Sequence, residues 1–221
     1  MIRDLVDSLS TLRDRFLAAQ LDGDRREAVR LVSEEGIGRG IAARDLHLHV
    51  IASAQREIGR LWQENRITVA DEHQATAISQ LALATIYAHL DRAPTCGKKV
   101  LVACVEGELH DMAARIVSDF LDAEGFDVTF LGASVPTKSL LEKIGALRPD
   151  LVALSVTMTF HLASAIDAAA AIRRAYPDVA VLVGGEALIG TPAAFVDGVE
   201  VGRGTAVDVI ASVRSALGVA A

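Results

Sequence analysis

The feature that most restricts the fold is a change of pattern in the second half of the chain. From Lys98 onward, short apolar runs alternate with amphipathic segments whose apolar residues recur at helical spacing. The apolar runs predict strands at 100–105, 127–131, 151–156, 179–183 and 198–201. The segments between and after them predict helices at 111–124, 136–147, 162–175, 189–196 and 205–217. Because such alternation needs crossover connections, we expect a parallel sheet with helices on both faces.

Five strands of this kind suit an α/β fold with a doubly wound parallel sheet of flavodoxin-like or Rossmann-like order. The ligand crevice of such a sheet lies at the carboxyl ends of its strands, where the strand order reverses. We therefore predict a Rossmann-like domain at 98–221, preceded by a linker at 93–97 with the sequence APTCG.

Residues 1–93 follow a different pattern, with almost no strand signal and with Leu, Ile, Val and Ala recurring every three to four residues. The predicted helices run through Phe16 to about Asp22, over about 25–35, over about 42–62, and from Thr68 to about Leu90. Gly36, Gly38 and Gly40 are expected to break the second of them. Thr68 and Asp71 form a capping-box-like start for the last of them. Short turns between long amphipathic helices predict an antiparallel four-helix bundle.

Composition excludes several classes of function. Although 51% of the 221 residues are hydrophobic, no apolar run approaches the roughly 18 residues that a membrane span needs. The start of the chain lacks a secretory pattern, so we expect a cytoplasmic protein without a membrane partner. A formal charge of −7 argues against direct nucleic-acid binding, so any role in transcription regulation would act through a protein partner. Cys96 and Cys104 form no metal or redox pair.

Polar residues and glycines collect at three predicted strand ends, where the crevice should lie. Glu108 and His110 follow the first strand. A carboxylate near an imidazole can fix its tautomer and raise its basicity as a metal ligand, although a solvated loop histidine is the alternative. Ser155 and Thr157 end the third strand and can either bind a ligand or cap the next helix. Each interpretation is open at this point.

Gly184-Gly185 follows the fourth strand. The pair either lets a bulky ligand approach the backbone or makes an ordinary turn with positive φ, and both interpretations are open. Its surroundings, GGEALIG, lack the GxGxxG spacing of dinucleotide sites, and no Gly-Lys-Ser/Thr phosphate loop occurs. NAD and ATP are therefore not the leading ligands.

The predicted bundle contains one unusual combination. Trp62, the only tryptophan, is followed after nine residues by Glu72-His73. Trp62 ends the third predicted helix and Glu72-His73 begin the fourth, so a short turn would bring ring, carboxylate and imidazole to one end of the bundle. A helix start favours an ionised Glu72 and disfavours a protonated His73. A buried Trp beside helix-capping charges is the alternative.

Taken together, these pieces resemble the cobalamin-binding module of methionine synthases, corrinoid methyl carriers and cobalamin-dependent photoreceptors, over about residues 10–217. That family has Asp-x-His-x-x-Gly, then Ser-x-Leu or Ser-x-Thr, then Gly-Gly. Here the three motifs stand as ELHDMA at 108–113, SVT at 155–157 and GG at 184–185. Glu108 replaces the family's Asp and Ala113 replaces its Gly, and the second change bears on the fit of the cofactor's tail.

The resemblance implies a role for each matched residue. His110 would be the lower axial ligand of cobalt, in place of the cofactor's own dimethylbenzimidazole, and Glu108 would hold it. Asp111, next to His110, is placed in the same site. Ser155, Thr157, Gly184 and Gly185 would line the slot for the displaced nucleotide tail.

The spacing of Trp62 and Glu72-His73 is similar to that of the photoreceptor branch, where these residues surround the 5′-deoxyadenosyl group on the upper face of cobalt. Some photoreceptors place a His directly after the Trp, and this chain has Gln63 instead. Photoreceptors of this type commonly begin with a MerR-like helix-turn-helix. Because this chain starts in the bundle, it is expected to be a stand-alone sensor.

The resemblance therefore favours a light-sensing signalling protein rather than an enzyme. It would bind adenosylcobalamin, with methylcobalamin as the alternative form, and act by changed self-association as a homo-oligomer or through a regulator or effector protein. A corrinoid methyl carrier of a methyltransferase system is the second hypothesis. A flavodoxin-like domain without a corrinoid is the third.

Overall fold

The computed structural model describes residues 2–189 and 197–219. The chain divides into two compact units, Met1–Asp91 and Arg92–Ala221. The first is helical and the second contains the sheet, so the expected α/β class with a helical N-terminal region is confirmed. No described helix combines the length and the apolar character that crossing a membrane requires.

The α-helices described in the first unit are α1 (Ile2–Leu21), α2 (Arg25–Arg30), α3 (Ala43–Asp45), α4 (Ala52–Gln63) and α5 (Val69–Ile86). Wider π-helical turns at Leu31–Gly36 and Leu46–Ile51 and tighter 3₁₀ turns at Ile37–Arg39 and Tyr87–His89 continue them. The described part of this unit therefore has four unbroken helical stretches, at 2–21, 25–39, 43–63 and 69–89. The four predicted helices correspond to these stretches.

Two local features of the helical unit bear on the sequence predictions. The capping box at Thr68 is confirmed, since Thr68 Oγ1 accepts a hydrogen bond from Asp71 N and Asp71 in turn caps Thr68 N. The predicted end of the second helix near residue 35 is wrong, because the stretch continues through Arg39. It ends at Gly40, the last of the three glycines expected to break it, whose φ of +82° is left-handed. Gly36 lies inside a π turn, where an added Cβ would lie 2.7 Å from Leu46 Cδ1.

The strands described in the second unit are β1 (Lys99–Cys104), β2 (Asp127–Phe130), β3 (Leu151–Ser155), β4 (Ala180–Gly184) and β5 (Val199–Gly202). Its α-helices are α6 (Met112–Ala123), α7 (Thr137–Leu147), α8 (Leu162–Ala175) and α9 (Ala206–Ala216). All described strand pairs are parallel, in the order β2-β1-β3-β4-β5, which is the expected doubly wound order. The helix expected at 189–196 lies outside the described residues except for Ile189, and a 3₁₀ turn at Glu186–Leu188 precedes it.

The core of the second unit explains why β1 and β3 appear in the sequence as continuous apolar runs. Both are central strands, and every residue of β3 and all but the first of β1 are buried. Strands covered on both faces lose the alternation of apolar and polar residues. The order reverses at β1 and β3, so the loops that leave these two strands are neighbours at the carboxyl edge of the sheet.

Candidate functional site

The carboxylate of Glu108 connects the loops after β1 and β3. It is fully buried at 0% exposure. Its Oε1 accepts hydrogen bonds from the backbone N of His110 at 2.9 Å and makes a 2.6 Å contact with the ring Nδ1 of the same residue. Its Oε2 accepts from the backbone N of Thr157 at 2.9 Å and of Met158 at 2.8 Å. Both carboxylate oxygens are therefore engaged, and their partners come from two strand ends.

These hydrogen bonds determine the charge of Glu108. Burial by itself would raise its pKa, but the hydrogen bond from the His110 side chain and those from the backbone of Met158, His110 and Thr157 outweigh it and lower the pKa to about 2. The carboxylate is thus ionised at neutral pH. Because Nδ1 of His110 faces this carboxylate, which can only accept, the neutral ring must carry its proton on Nδ1. The lone pair is then on Nε2. With a side chain 40% exposed, His110 is suited to be a metal ligand.

The loop after β2 supports the same region from the other side. Ser134 donates its backbone N–H to the carbonyl of Glu108 at 2.8 Å, and its hydroxyl accepts from Gly107 N at 3.1 Å. Gly107 has a φ of +87°, and a Cβ there would lie 2.7 Å from Cε1 of His161. The loop that carries His110 is therefore packed between the loop after β2 and the residues after β3.

The structure brings the predicted strand-end residues into one row. In the sheet register Cys104 pairs with Ser155 and Ser155 with Gly184, so these small residues lie side by side at the carboxyl edge. Ser155 and Thr157 do not occupy cap positions, because the caps of the following turns are Met158 and His161. The contact of Thr157 with Glu108 uses its backbone N–H rather than its hydroxyl.

The two glycines after β4 differ. Gly185 has a φ of +125°, and a Cβ on it would lie 2.1 Å from the carbonyl oxygen of Val156, so the turn itself requires glycine there. At Gly184 the nearest atom to an added Cβ is the Gly202 carbonyl oxygen at 3.5 Å, an ordinary contact. The turn interpretation therefore accounts for Gly185, and the absence of a side chain at Gly184 leaves room at the row of strand ends.

Three further residues belong to the end of β1 or to the segment that follows His110. Burial raises the pKa of the Cys104 thiol to about 12, with the carboxylates of Asp111 and Glu108 adding to the effect, so Cys104 is not a thiolate at neutral pH. Asp111 is the residue before α6, and its carbonyl accepts from Arg115 N at 2.9 Å. Ala113, where the resemblance has Gly, is exposed in the first turn of α6.

In the helical unit, Trp62 lies half-buried in the last turn of α4 and Glu72 and His73 lie in the first turns of α5. Glu72 is buried at 8% exposure, whereas the side chain of His73 is 71% exposed. Glu72 Oε2 and His73 Nδ1 are 2.6 Å apart. As at Glu108, a buried carboxylate faces the Nδ1 of an adjacent, more exposed imidazole, and Nε2 lies on the opposite side of the ring.

Comparison with known families decides what the arrangement belongs to. A family described as B12 binding domain matches residues 98–214, which include the whole row of strand ends and the His110 loop. A second family with the same description matches residues 12–87. The chain belongs to the B12-binding domain family. Its cofactor is therefore cobalamin, and the predicted family is confirmed.

Individual relatives of this B12-binding chain fall into two groups. The HTH-type transcriptional repressor CarA of Myxococcus xanthus is 38% identical over 90 residues, which are 41% of this chain and 31% of that protein, so the match spans less than a third of the repressor. Trimethylamine corrinoid protein 1 of Methanosarcina acetivorans is 25% identical over 191 residues, 84% of this chain and 88% of that one. The solved monomethylamine corrinoid protein of Methanosarcina barkeri has the same fold, with a TM-score of 0.79, 17% identity and coverage of 95% of this chain and 98% of that one.

The carboxyl edge of the sheet fits a large organic cofactor. Besides the row of small residues and the imidazole whose lone pair is on Nε2, large hydrophobic side chains are exposed after three of the strands. They are Leu109 at 71%, Phe160 at 69% and Ile189 at 58% exposure. Exposed apolar side chains around a polar ligand group are typical of a binding surface.

Sequence reasoning missed several of these contacts. Met158 acts through its backbone N–H, which no residue type reveals, and Ser134 acts from a loop that no predicted motif includes. His161, whose ring lies beside Gly107, belongs to none of the three matched motifs. Leu109 and Phe160 had a usable signal, because both interrupt polar strand-end loops with a large apolar side chain.

Proposed function

We propose that this chain is a cobalamin-dependent light sensor that binds adenosylcobalamin with His110 on the lower face of cobalt. The observation that carries the proposal is the hydrogen-bond contact between the buried carboxylate of Glu72 and the exposed ring of His73. Glu72 lies ten residues after Trp62. A ring, a carboxylate and an imidazole suit a bulky, polar nucleoside group better than a small methyl group, since they offer stacking and hydrogen bonding together. When bound, adenosylcobalamin supplies a cobalt–carbon bond that light can break.

On the lower side, the role of the protein is to hold a nitrogen ligand in one orientation. Glu108 fixes the Nδ1–H tautomer of His110, so that Nε2 presents its lone pair. Ser155, Thr157, Gly184 and Gly185 would line the slot for the nucleotide tail, and Asp111 would border it at the start of α6. The small residues at the strand ends support this assignment because they leave room for a ligand.

The output would be a change in self-association or in the binding of a regulator or effector protein. A ligand can bias only those states with which it interacts differently, and Trp62, Glu72 and His73 are the groups that would sense loss of the upper group. Gln63 stands where some photoreceptors have a second cobalt-binding His, so this chain would form its light state without that residue.

The experiment is to load the protein with adenosylcobalamin in the dark and record absorbance and elution volume before and after green light. We expect both to change, with free adenosylcobalamin and the cofactor-free protein illuminated in parallel as controls. An elution volume and spectrum that light leaves unchanged would overturn the proposal. His110→Ala should lose the spectrum of histidine-bound cobalt, while His89→Ala, at an exposed histidine of the bundle, should keep it.

A corrinoid methyl carrier is the second candidate, because the match to trimethylamine corrinoid protein 1 extends over 84% of this chain. A carrier would share the residues of the lower side, so those cannot separate the two functions. Methyl transfer from a one-carbon donor to the bound cofactor, in the presence of a partner methyltransferase and unchanged by Trp62→Ala, would favour the carrier.

A further inference from the structure

The oxygen of Glu72 that faces away from His73 is held by side chains of two helices. Oε1 accepts from the hydroxyl of Thr76 at 2.7 Å and from the amide Nε2 of Gln55 at 3.4 Å. The same amide donates to the hydroxyl of Thr76 at 2.6 Å. The Thr76 hydroxyl thus accepts a hydrogen bond from Gln55 of α4 and donates one to Glu72, one turn back along α5.

The contacts continue inward from Gln55. Its Oε1 accepts from the hydroxyl of Ser79 at 2.9 Å, and Ser79 in turn accepts from Nε2 of Gln20 at 2.8 Å. Gln20, in the last turns of α1, also donates to the carbonyl of Ala75 at 3.1 Å. Gln20 and Ser79 are buried, at 1% and 0% exposure. Polar side chains so deep in a helical core are costly unless they are bonded to one another.

Every donor in this series points the same way. The donors run from Gln20 to Ser79, then to Gln55, Thr76 and finally the carboxylate of Glu72. A carboxylate accepts and never donates, so it is the natural end of such a chain. Aligned hydrogen bonds in a low dielectric strengthen one another, and loss of one partner leaves a buried group unsatisfied. The orientation of Glu72 is therefore determined by the helices behind it.

We propose that Gln55 and Thr76 are positioning residues of the Glu72–His73 pair. By holding Oε1 they keep Oε2 directed at His73 Nδ1, which fixes the neutral ring with its proton on Nδ1 and its lone pair on Nε2. Without those two donors, Oε1 would be a buried acceptor with too few donors, and the carboxylate would turn toward water and release the ring. The inference rests on the proposed function only in placing this pair against the upper group of the cofactor.

The first test uses the cofactor-free protein and the ¹⁵N chemical shifts of the His73 side chain, at a pH where the ring is neutral. His73→Gln assigns the signals. We expect Nδ1 protonation in the wild type and its loss in Thr76→Val and Gln55→Met. Thr85→Val is the matched control, because Thr85 lies on the same helix and its hydroxyl donates to the backbone carbonyl of Leu81. Thr76→Ser restores the hydroxyl and should restore the tautomer.

Retention of the Nδ1 proton in Thr76→Val would overturn the proposal, as would a wild-type ring protonated on Nε2. The Thr76→Val change keeps the shape of the side chain, so it decides the question even if Gln55→Met does not fold.

The second test measures the dissociation constant for adenosylcobalamin in the dark. We expect the dissociation constant to rise about tenfold in Thr76→Val and Gln55→Met, which is the usual effect of losing a hydrogen bond to a charged group. It should stay unchanged in Thr85→Val. Equal constants in all variants would overturn the placement of the pair against the upper group. A wild-type protein that does not respond to light would overturn the proposed function and leave the tautomer result standing.

Discussion

Two carboxylate–imidazole pairs in this chain make the same kind of contact, but different groups hold the carboxylate in place. A carboxylate oxygen of Glu108 lies 2.6 Å from Nδ1 of His110, and one of Glu72 lies 2.6 Å from Nδ1 of His73. Glu108 is held by backbone N–H groups of the loops after β1 and β3. Glu72 is held by the side chains of its neighbours in α4 and α5. A backbone support follows from the fold, whereas a side-chain support can be altered by one substitution that leaves the fold unchanged.

The largest expected difference is in stability. Glu108→Gln would place an NH₂ group among N–H donors in a buried site, and we expect it to lower the free energy of unfolding by about 4 kcal/mol. In Glu72→Gln the new amide can still accept or donate hydrogen bonds to the neighbouring hydroxyl and amide groups. We expect this change to lower the free energy of unfolding by about 1–2 kcal/mol. Urea unfolding of both variants measures the two values. Glu106→Gln, at an exposed residue of the same loop as Glu108, is the control, and equal costs at 72 and 108 would contradict the distinction.

The second expected effect is in the acid range. The pKa of Glu108 is lowered from 4.5 to about 2 in the folded protein, so its carboxylate adds stability above about pH 4.5 and that stability is lost as the pH falls toward 2. A shift of this size corresponds to about 3 kcal/mol. The difference in unfolding free energy between wild type and Glu108→Gln should therefore shrink by about that amount between pH 5 and pH 2. A difference independent of pH would mean that the folded carboxyl titrates at its ordinary value.

The comparison also explains how much could be predicted from the sequence. The described strands and helices follow from periodicity, because the spacing of apolar residues reports which face is buried. The expected strand order follows from the doubly wound fold class that their alternation indicates. The strand-end row of Ser155 and Gly184 followed from the fold, since parallel strands end at one edge. Prediction succeeded where the apolar pattern or the parallel sheet by itself determines the position.

The supports of the two carboxylates could not be predicted. Backbone N–H groups of Thr157 and Met158 are present at every residue, so only the conformation of the loop after β3 brings them to Glu108. Gln55 and Thr76 lie on different helices, and their contact depends on the rotation of α4 against α5. A π turn at Leu46–Ile51 precedes α4, and no periodic pattern in the sequence signals it.

A third comparison, between the two glycines after β4, distinguishes an effect on stability from an effect on cobalamin binding. Gly185→Ala would force a Cβ against the Val156 carbonyl at a positive φ and should lower the free energy of unfolding by about 2 kcal/mol. Gly184→Ala meets only an ordinary contact and should change stability by less than about 1 kcal/mol. If Gly184 borders the cofactor's tail, its Ala variant should instead weaken cobalamin binding. Thermal unfolding and cobalamin titration of both variants check this, and unchanged binding in Gly184→Ala would remove Gly184 from the proposed slot.

The smallest expected effect concerns Ala113, where the family pattern has Gly. Ala113 is exposed in the first turn of α6, five residues after Glu108, so a methyl group projects at the surface beside the His110 loop. Ala113→Gly should cost about 0.5–1 kcal/mol of stability, because glycine loses more backbone entropy in a helix. It should also tighten cobalamin binding a few-fold if the methyl crowds the tail. Isothermal titration with cobalamin measures the change in binding. Weaker binding in Ala113→Gly would mean that the first turn of α6 serves the site through its rigidity, which would extend the backbone-built support of Glu108 to the helix that follows it.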